Sequence, residues 1–337
     1  MLPVRAETPK TRAQDLKPLA SDQGVGAVHE PFAKGECQLC HQNRDAKNPG
    51  PVTTKGNALC LDCHAEFRRE VMSRKFGHVA ATEQCVSCHN PHNSKETKLL
   101  ADYSTSLCLN CHEPIQRLLT EAPLKHGAVT QGKQCVGCHQ PHASSTEHLL
   151  SQPPKLLCLG CHDKSNVTDH RGQKLTNFKK LLEQNPREHA PVESGECGAC
   201  HNPHATPRPS LLTKDYPNEL YARFAPQAYA LCFECHEEKA FTEPETESAT
   251  QFRDGRRNLH YLHVNRPELG RACHTCHEVH ASALPHQMRV SVPYGSAGWQ
   301  LKINFVKTPE GGGCAKTCHP AQRYDRNGSA SKLEAKP

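Results

Sequence analysis

The chain has 337 residues but only 5% aromatic residues, one Trp and a mean hydropathy of −0.71, too little apolar bulk for two ordinary protein-only cores. Its 26 Pro and 21 Gly argue against long uninterrupted helices or sheets, and its formal charge is only +6. Left to itself such a polypeptide should be half-disordered, so something other than side chains must fill its interior.

Residues 1–28 read as a polar, loosely ordered extension. The opening MLPVRAETPK lacks the apolar stretch of a signal peptide and reads as a mature or truncated start. No run approaches the 18 or more apolar residues of a membrane span.

From residue 37 onward the 20 Cys fall in pairs: Cys37/Cys40, Cys60/Cys63, Cys85/Cys88, Cys108/Cys111, Cys135/Cys138, Cys158/Cys161, Cys197/Cys200, Cys232/Cys235, Cys273/Cys276 and Cys314/Cys318. A His follows the second Cys every time: His41, His64, His89, His112, His139, His162, His201, His236, His277 and His319. Nine of these motifs are CxxCH; the last, CAKTCH, has one more residue between the cysteines. Zinc ribbons or disulfides would explain the cysteine pairs but not the invariable His. CxxCH is the attachment signature of haem c: both thiols bond to the porphyrin edge and the His lies under the ring as an axial iron ligand. Ten covalently attached haem c groups are therefore expected.

The motifs themselves come in pairs. Segments 37–64, 85–112 and 135–162 are each 28 residues long. CVSCHNPHNSKETKLLADYSTSLCLNCH matches CVGCHQPHASSTEHLLSQPPKLLCLGCH at the PH, the Ser and the LL. The fourth repeat opens CGACHNPHATPRPSLL and carries a 12-residue insertion before CFECH. The fifth opens CHTCHEVHAS and diverges before His319. Repetition of this kind implies a quasi-linear array in which each repeat contacts its neighbours. The expected organisation is three compact dihaem units over 29–162, a connector over 163–188, two expanded dihaem units over 189–319 and a tail over 320–337. In the connector, KLTNFKKLLEQ places Leu175, Phe178, Leu181 and Leu182 at helical spacing, and a lobe boundary is expected there.

Ten proximal histidines leave 14 of the 24 His. Two recurring classes can supply distal ligands. One lies three residues after the proximal His: His92, His142, His204 and His280. The other lies upstream of each repeat: His29, His78, His126, His189 and His263. The tenth is assigned to His170, with His148, His260, His286 and His274 as alternatives. A His three residues from a proximal one cannot easily reach the far face of the same haem, so CxxCHxPH stitches two haems together, with Pro141 keeping the segment extended. The expected pairing gives the PH His to the second haem of its own repeat and the upstream His to the first. Met72 and Met288 are read as apolar packing rather than as ligands. Mostly bis-His iron should be low-spin and of low potential.

On these residues the chain resembles the doubled-CXXCH multihaem cytochromes, over five repeats and most of its length. GKQCVGCHQPHASSTEHLL followed by LCLGCH carries the resemblance, and the total of ten motifs is similar to the periplasmic decahaem cytochromes. The resemblance implies a multihaem cytochrome c with little regular secondary structure, its short helices and loops wrapped around an extended haem chain. It also implies other cytochromes as electron donor and acceptor, an outer-membrane porin and an outer-face multihaem cytochrome as partners, and a periplasmic or outer-membrane-associated location. The first repeat departs from the pattern, with CHQNRD in place of PH, as does the last motif, CAKTCH.

Each haem adds about −2 from its propionates and about +1 from a ferric bis-His core, so the loaded chain carries roughly −4 when oxidised and roughly −14 when all irons are ferrous. The basic apoprotein charge is therefore no argument for nucleic-acid binding. An electron-transfer wire, with no catalytic residues, is the expected function. The alternatives are a nitrite- or tetrathionate-type reductase with one open iron, or a subunit of an extracellular filament or surface complex.

Overall fold

A computed structural model describes residues 16–268, 270–294, 299–314 and 319–328. The chain divides into two compact lobes, Met1–Leu157 and Cys158–Pro337. The break falls inside the short helix Pro154–Leu159 and not in the 163–188 connector. The reason lies in how the connector docks. The Phe178 amide donates to the His162 carbonyl at 2.9 Å, and the Phe178 ring stands 6.2 Å from the His162 ring. The connector is thereby tied to the second motif of the third repeat and belongs with the second lobe. Its helix runs Phe178–Gln184, with Asn177 capping it by accepting from the Lys180 amide at 2.9 Å.

Helices are short throughout, as the Pro and Gly content predicts. In the first lobe the longest are Ala65–Ser73 and Glu113–Glu121, each starting directly after a second-motif His. The strands of that lobe form two-residue ladders: Ala27–Val28 pairs antiparallel with Asn93–Ser94, and Phe76–Gly77 with Ala143–Ser144. The second lobe repeats this ladder between Arg187–Glu188 and Ala281–Ser282. It then departs from the repeat pattern. Ser291–Tyr294 and Trp299–Lys302 form a hairpin, and Phe305–Lys307, Gly311–Cys314 and Gln322–Asp325 form a three-stranded sheet with Gly311–Cys314 at its centre. Residues 322–325, expected to belong to a loose tail, are thus an edge strand. A Cβ at Gly312 would meet the Val306 carbonyl at 2.7 Å and the Tyr324 hydroxyl at 2.8 Å, so the central strand needs glycine there.

Among the described residues, the buried apolar side chains of the first lobe reduce to Ala122. The second lobe buries Ala205, Tyr229, Val264, Ala272 and Ala281, plus a cluster of Met288, Val292 and Ile303 beside its hairpin. Met288 is therefore packing, as expected, whereas Met72 is 75% exposed. A first lobe with one buried alanine and many exposed Val and Leu side chains has no protein core of its own.

Candidate haem-binding sites

In all nine CxxCH motifs the His amide donates to the carbonyl of the first Cys at 2.8–3.1 Å. Each motif is thus one helical turn, which gathers two thiols and an imidazole at one place. Cys314 lies at the end of the central strand of the C-terminal sheet, and Cys318 lies outside the described residues. Among the described residues no cysteine forms a disulfide.

The sequence treats the ten motifs as alike, and the structure corrects this at the second cysteine of each. Cys63, Cys111, Cys161 and Cys235, in the second motifs, are exposed, whereas Cys40, Cys88, Cys138, Cys200 and Cys276, in the first motifs, are half-buried. The cause is the turn that closes over each first motif. Thirteen residues on, a backbone amide donates back to the second Cys carbonyl at 2.8–2.9 Å: Thr53 to Cys40, Ala101 to Cys88, Ser151 to Cys138, Thr213 to Cys200 and Arg289 to Cys276. Cys276 also packs against the Met288, Val292 and Ile303 cluster. Second motifs are followed by other structure: the helices Ala65–Ser73 and Glu113–Glu121 after Cys63 and Cys111, and the connector after Cys161.

The imidazoles meet in pairs. Ring centres lie 6.3 Å apart for His29 and His64, and 6.1 Å apart for His41 and His92, His78 and His112, and His89 and His142. In the second lobe the pairs are His189 and His236 at 6.1 Å, His201 and His280 at 6.1 Å, His260 and His277 at 6.4 Å, and His263 and His319 at 6.5 Å. With a metal–imidazole bond of about 2.0–2.1 Å and roughly 1.1 Å from ring nitrogen to ring centre, two imidazoles facing one metal stand about 6.2–6.4 Å apart. The spacing is too wide for direct contact and is the one two imidazoles would need to hold a metal ion between them.

The pairing follows a rule different from the expected one. The upstream His faces the second-motif His of its own repeat, as in His29 with His64 and His78 with His112. The PH His faces the first-motif His of the preceding repeat, as in His92 with His41, His142 with His89 and His280 with His201. The ladders explain the exchange. The His29 amide donates to the His92 carbonyl at 2.8 Å, the His78 amide to the His142 carbonyl at 2.8 Å, and the His189 amide to the His280 carbonyl at 2.9 Å. Adjacent antiparallel strands then present two histidines to the two motif histidines of the earlier repeat. The first repeat has CHQNRD in place of the PH.

After the fifth repeat no further PH follows, and the helix Leu259–Val264 takes over. Its His260 and His263, three residues apart, face His277 and His319. The fully buried Asn258 fixes this helix. Its side chain accepts from the Tyr261 amide at 3.2 Å and donates to the Ala240 and Glu243 carbonyls at 3.0 and 2.8 Å. The structure thus places His260 where the sequence reading put His170. His170 is exposed beside a turn and has no ring partner among the described residues. His274 instead engages the Tyr216 hydroxyl at 2.8 Å through Nδ1, His286 accepts from Lys307 Nζ at 2.7 Å, and His148 is exposed. A helical i, i+3 His pair was available in LHYLHV as the signal.

Backbone carbonyls fix the tautomer of His29, His78 and the first-motif rings. His29 Nδ1 donates to the Pro91 carbonyl and His78 Nδ1 to the Pro141 carbonyl, both at 2.9 Å, so the proline of PH serves as an acceptor as well as a spacer. First-motif rings bond a carbonyl nine residues on: His41 to Gly50, His89 to Lys98, His139 to His148, His201 to Ser210 and His277 to His286, at 2.8–2.9 Å. Those carbonyls point inward because Gly50, Lys98, His148, Ser210 and His286 all have φ between 55° and 72°, in the left-handed region. An Nδ1–H···O=C bond leaves Nε2 as the nitrogen that would bind a metal. The repeated Ser has a role here too. Ser144 Oγ donates to the Leu150 carbonyl at 2.5 Å and accepts from the Thr146 amide at 3.0 Å, holding the LL turn shut. Edge-on phenyl rings further orient the PH imidazoles: Phe32 on His92, Phe67 on His142 and Phe178 on His280, at 4.8–5.2 Å.

Burial pushes His260 down to about 3 and His280 down to about 4, and lowers His92, His112, His142, His189, His263 and His277 for the same reason. The rings are thereby held neutral, the form that binds metal. His126 stands at the N-terminal end of the helix Gly127–Thr130, and the His204 amide donates to Asn202 Oδ1 at 3.0 Å.

Thiols of successive motifs adjoin. Cys60 and Cys85 hydrogen bond each other, as do Cys108 and Cys135, and Cys232 and Cys273. Cys40 lies near Cys60 and Cys63, Cys88 near Cys111, and Cys200 near Cys232 and Cys235. Within each lobe the attachment points therefore follow one another in sequence order.

The doubled CXXCH motif family matches residues 29–69, 78–117, 126–167 and 189–241, more than half of the chain. The chain belongs to that family, and its motifs are those of multihaem c-type cytochromes with covalently bound haem. The matched segments hold four of the five motif pairs; the pair at Cys273 and Cys314 lies beyond them. No curated protein matches the chain. Among the described residues no helix is long and apolar enough to cross a membrane.

Proposed function

We propose that the chain carries ten covalently attached haem c groups and acts as an electron-transfer wire. The observation that carries this reading is the set of imidazole pairs at 6.1–6.5 Å, each with a CxxCH or CAKTCH His as one member. The bound haems supply the one-electron chemistry; the chain supplies attachment, ligands and spacing. The proximal ligands are the ten motif histidines. The distal ligands are His29, His78, His92, His126, His142, His189, His204, His263 and His280, with His260 as the tenth. Two imidazoles per iron leave no coordination position for nitrite or tetrathionate, which favours a carrier over a reductase. Attachment points that adjoin in sequence order favour transfer along the chain.

The finer reading places this wire on the periplasmic side of a trans-outer-membrane conduit, exchanging electrons with other cytochromes inside a porin. It rests on the resemblance to periplasmic decahaem cytochromes. The testing experiment is low-temperature EPR of the oxidised holoprotein, with haem quantified as pyridine haemochrome. Ten haems, all low-spin, are expected; a stoichiometric high-spin signal would reveal an open iron and overturn the carrier reading. Co-purification with a porin from outer-membrane extracts tests the conduit, and recovery only as a free monomer counts against it.

A further inference from the structure

Beside the last imidazole pair lies a cation with no counter-charge among the described residues. Arg253 Nη1 donates to the Gly255 carbonyl at 2.6 Å and to the Arg326 carbonyl at 2.7 Å, while its Nε is buried and has no partner. Among the described residues no carboxylate pairs with it. Two acids sit on the same strands and are engaged elsewhere: Asp254 Oδ1 accepts from the Asp325 amide at 3.0 Å, and Asp325 Oδ1 from the Asn327 amide at 2.8 Å. A guanidinium half-withdrawn from water and met only by carbonyls is costly, because its charge is solvated by neither water nor an anion. Planar and five-donor, it suits a carboxylate better than any other partner.

Its position says which carboxylate. Phe252, the preceding residue, packs 5.6 Å from the His263 ring and 5.1 Å from the Tyr324 ring. Cys314 and Gly311 stand at opposite ends of the central strand, three residues apart, which is about 10 Å at strand rise. Gly311 pairs with Asp325, next to Arg326, whose carbonyl holds the Arg253 side chain. Arg253 is thus displaced from the thioether attachment point, along the sheet, by about the width of a porphyrin. Thioethers and propionates occupy opposite edges of haem c.

We propose that Arg253 binds a propionate of the haem attached at Cys314 and ligated by His263 and His319, and so sets that haem's potential. The inference rests on the ten-haem reading above. It makes Arg253 a positioning residue, and its charge favours the ferrous state by offsetting the propionate's negative charge.

The test uses full-length holoprotein as wild type, Arg253→Leu, Arg253→Gln and Arg253→Lys, with haem counted in each. Spectropotentiometric titration resolves the components, and the tenth is identified as the one whose low-spin EPR signal His319→Ala removes. Arg253→Leu should lower the potential of that component alone, by about tenfold in its one-electron constant, or 59 mV; Arg253→Lys should restore most of it. If Arg253→Leu does not mature, Arg253→Gln, which keeps hydrogen-bonding capacity without charge, decides. Ten haems with an unchanged potential, or equal shifts in every component, would overturn the proposal. So would a wild-type potential that follows acetate concentration, since that would mark a free anion at Arg253. Wild-type protein with nine haems and none at Cys314 would overturn it together with the ten-haem reading.

Discussion

The His29 amide bonds the His92 carbonyl at 2.8 Å, yet the two rings face different partners, His64 and His41. One backbone contact thus brings an imidazole from each of two repeats to face the two motif histidines of the first. The PH histidine therefore works one repeat back along the chain, and a ladder of two residues is enough to hold it there.

The clearest check concerns the tenth distal ligand. His260→Ala should turn one haem high-spin while every haem stays attached, and His170→Ala should leave the spectrum unchanged. EPR of both variants decides; the opposite result would restore His170.

Asn258→Ala removes three hydrogen bonds from the fully buried residue that positions the Leu259–Val264 helix. The stranded carbonyls should cost roughly 2–4 kcal/mol, at about 1–3 kcal/mol for each unsatisfied buried group after relaxation. Because His260 and His263 share that helix, both of their low-spin signals should broaden together. Broadening of only one would show that the helix does not act as a unit.

Ser144→Ala strands the Leu150 carbonyl and the Thr146 amide. A loss of about 1–3 kcal/mol is expected, seen as a lower Tm with haem content unchanged. An unaltered Tm would mean that the turn is held by the LL side chains alone.

Acid should undo the fold through its histidines. His260 is held near 3 and His280 near 4, against 6.5 for an ordinary imidazole. Folded-state values below the unfolded value mean that the unfolded chain takes up protons first as pH falls. Their contribution is complete above about pH 6.5 and drains away towards pH 3–4. Thermal melts of chain made without haem attachment, followed in the second lobe from pH 7 to pH 4, should show Tm falling over that window; a flat profile would contradict it.

Haem removal should act unevenly. The first lobe buries only Ala122 among its described apolar side chains, so chain made without haem attachment should show no cooperative melt from it. Protease should cut 16–157 at once and leave longer-lived fragments around Met288, Val292 and Ile303. Equal resistance in both regions would disprove a haem-dependent first lobe.

Much of this was written in the sequence. The motif turns, the His beside each second Cys and the two classes of extra His are fixed by covalent spacing, which sequence displays directly. The partner of each extra His was not legible, because strand pairing such as that of Val28 with Asn93 joins residues far apart in the chain and leaves no periodic trace. The unequal cover of Cys138 and Cys161 was hidden too, since it depends on which segment folds back over each motif. His260 stands in the sequence only as one alternative to His170 for a related reason: it belongs to a helix special to the fifth repeat, so no comparison between repeats singles it out. The strand at Gln322–Asp325 was hidden by polar composition; its place is set by the glycines of its neighbour, which allow close backbone approach.

The one-repeat offset of the PH histidine also bears on how such a chain can grow or shrink. The stretch that looks like a building block, from one Cys-Cys-His pair to the next, is not self-sufficient, because its first-motif His faces an imidazole supplied by the block that follows it. Loss of one whole period from the middle of the array would let the next PH step in, so that His142 would come to face His41 in place of His92. Loss of the last PH-bearing repeat, by contrast, would leave the first-motif His before it without a facing imidazole, and a haem there would be open to small ligands.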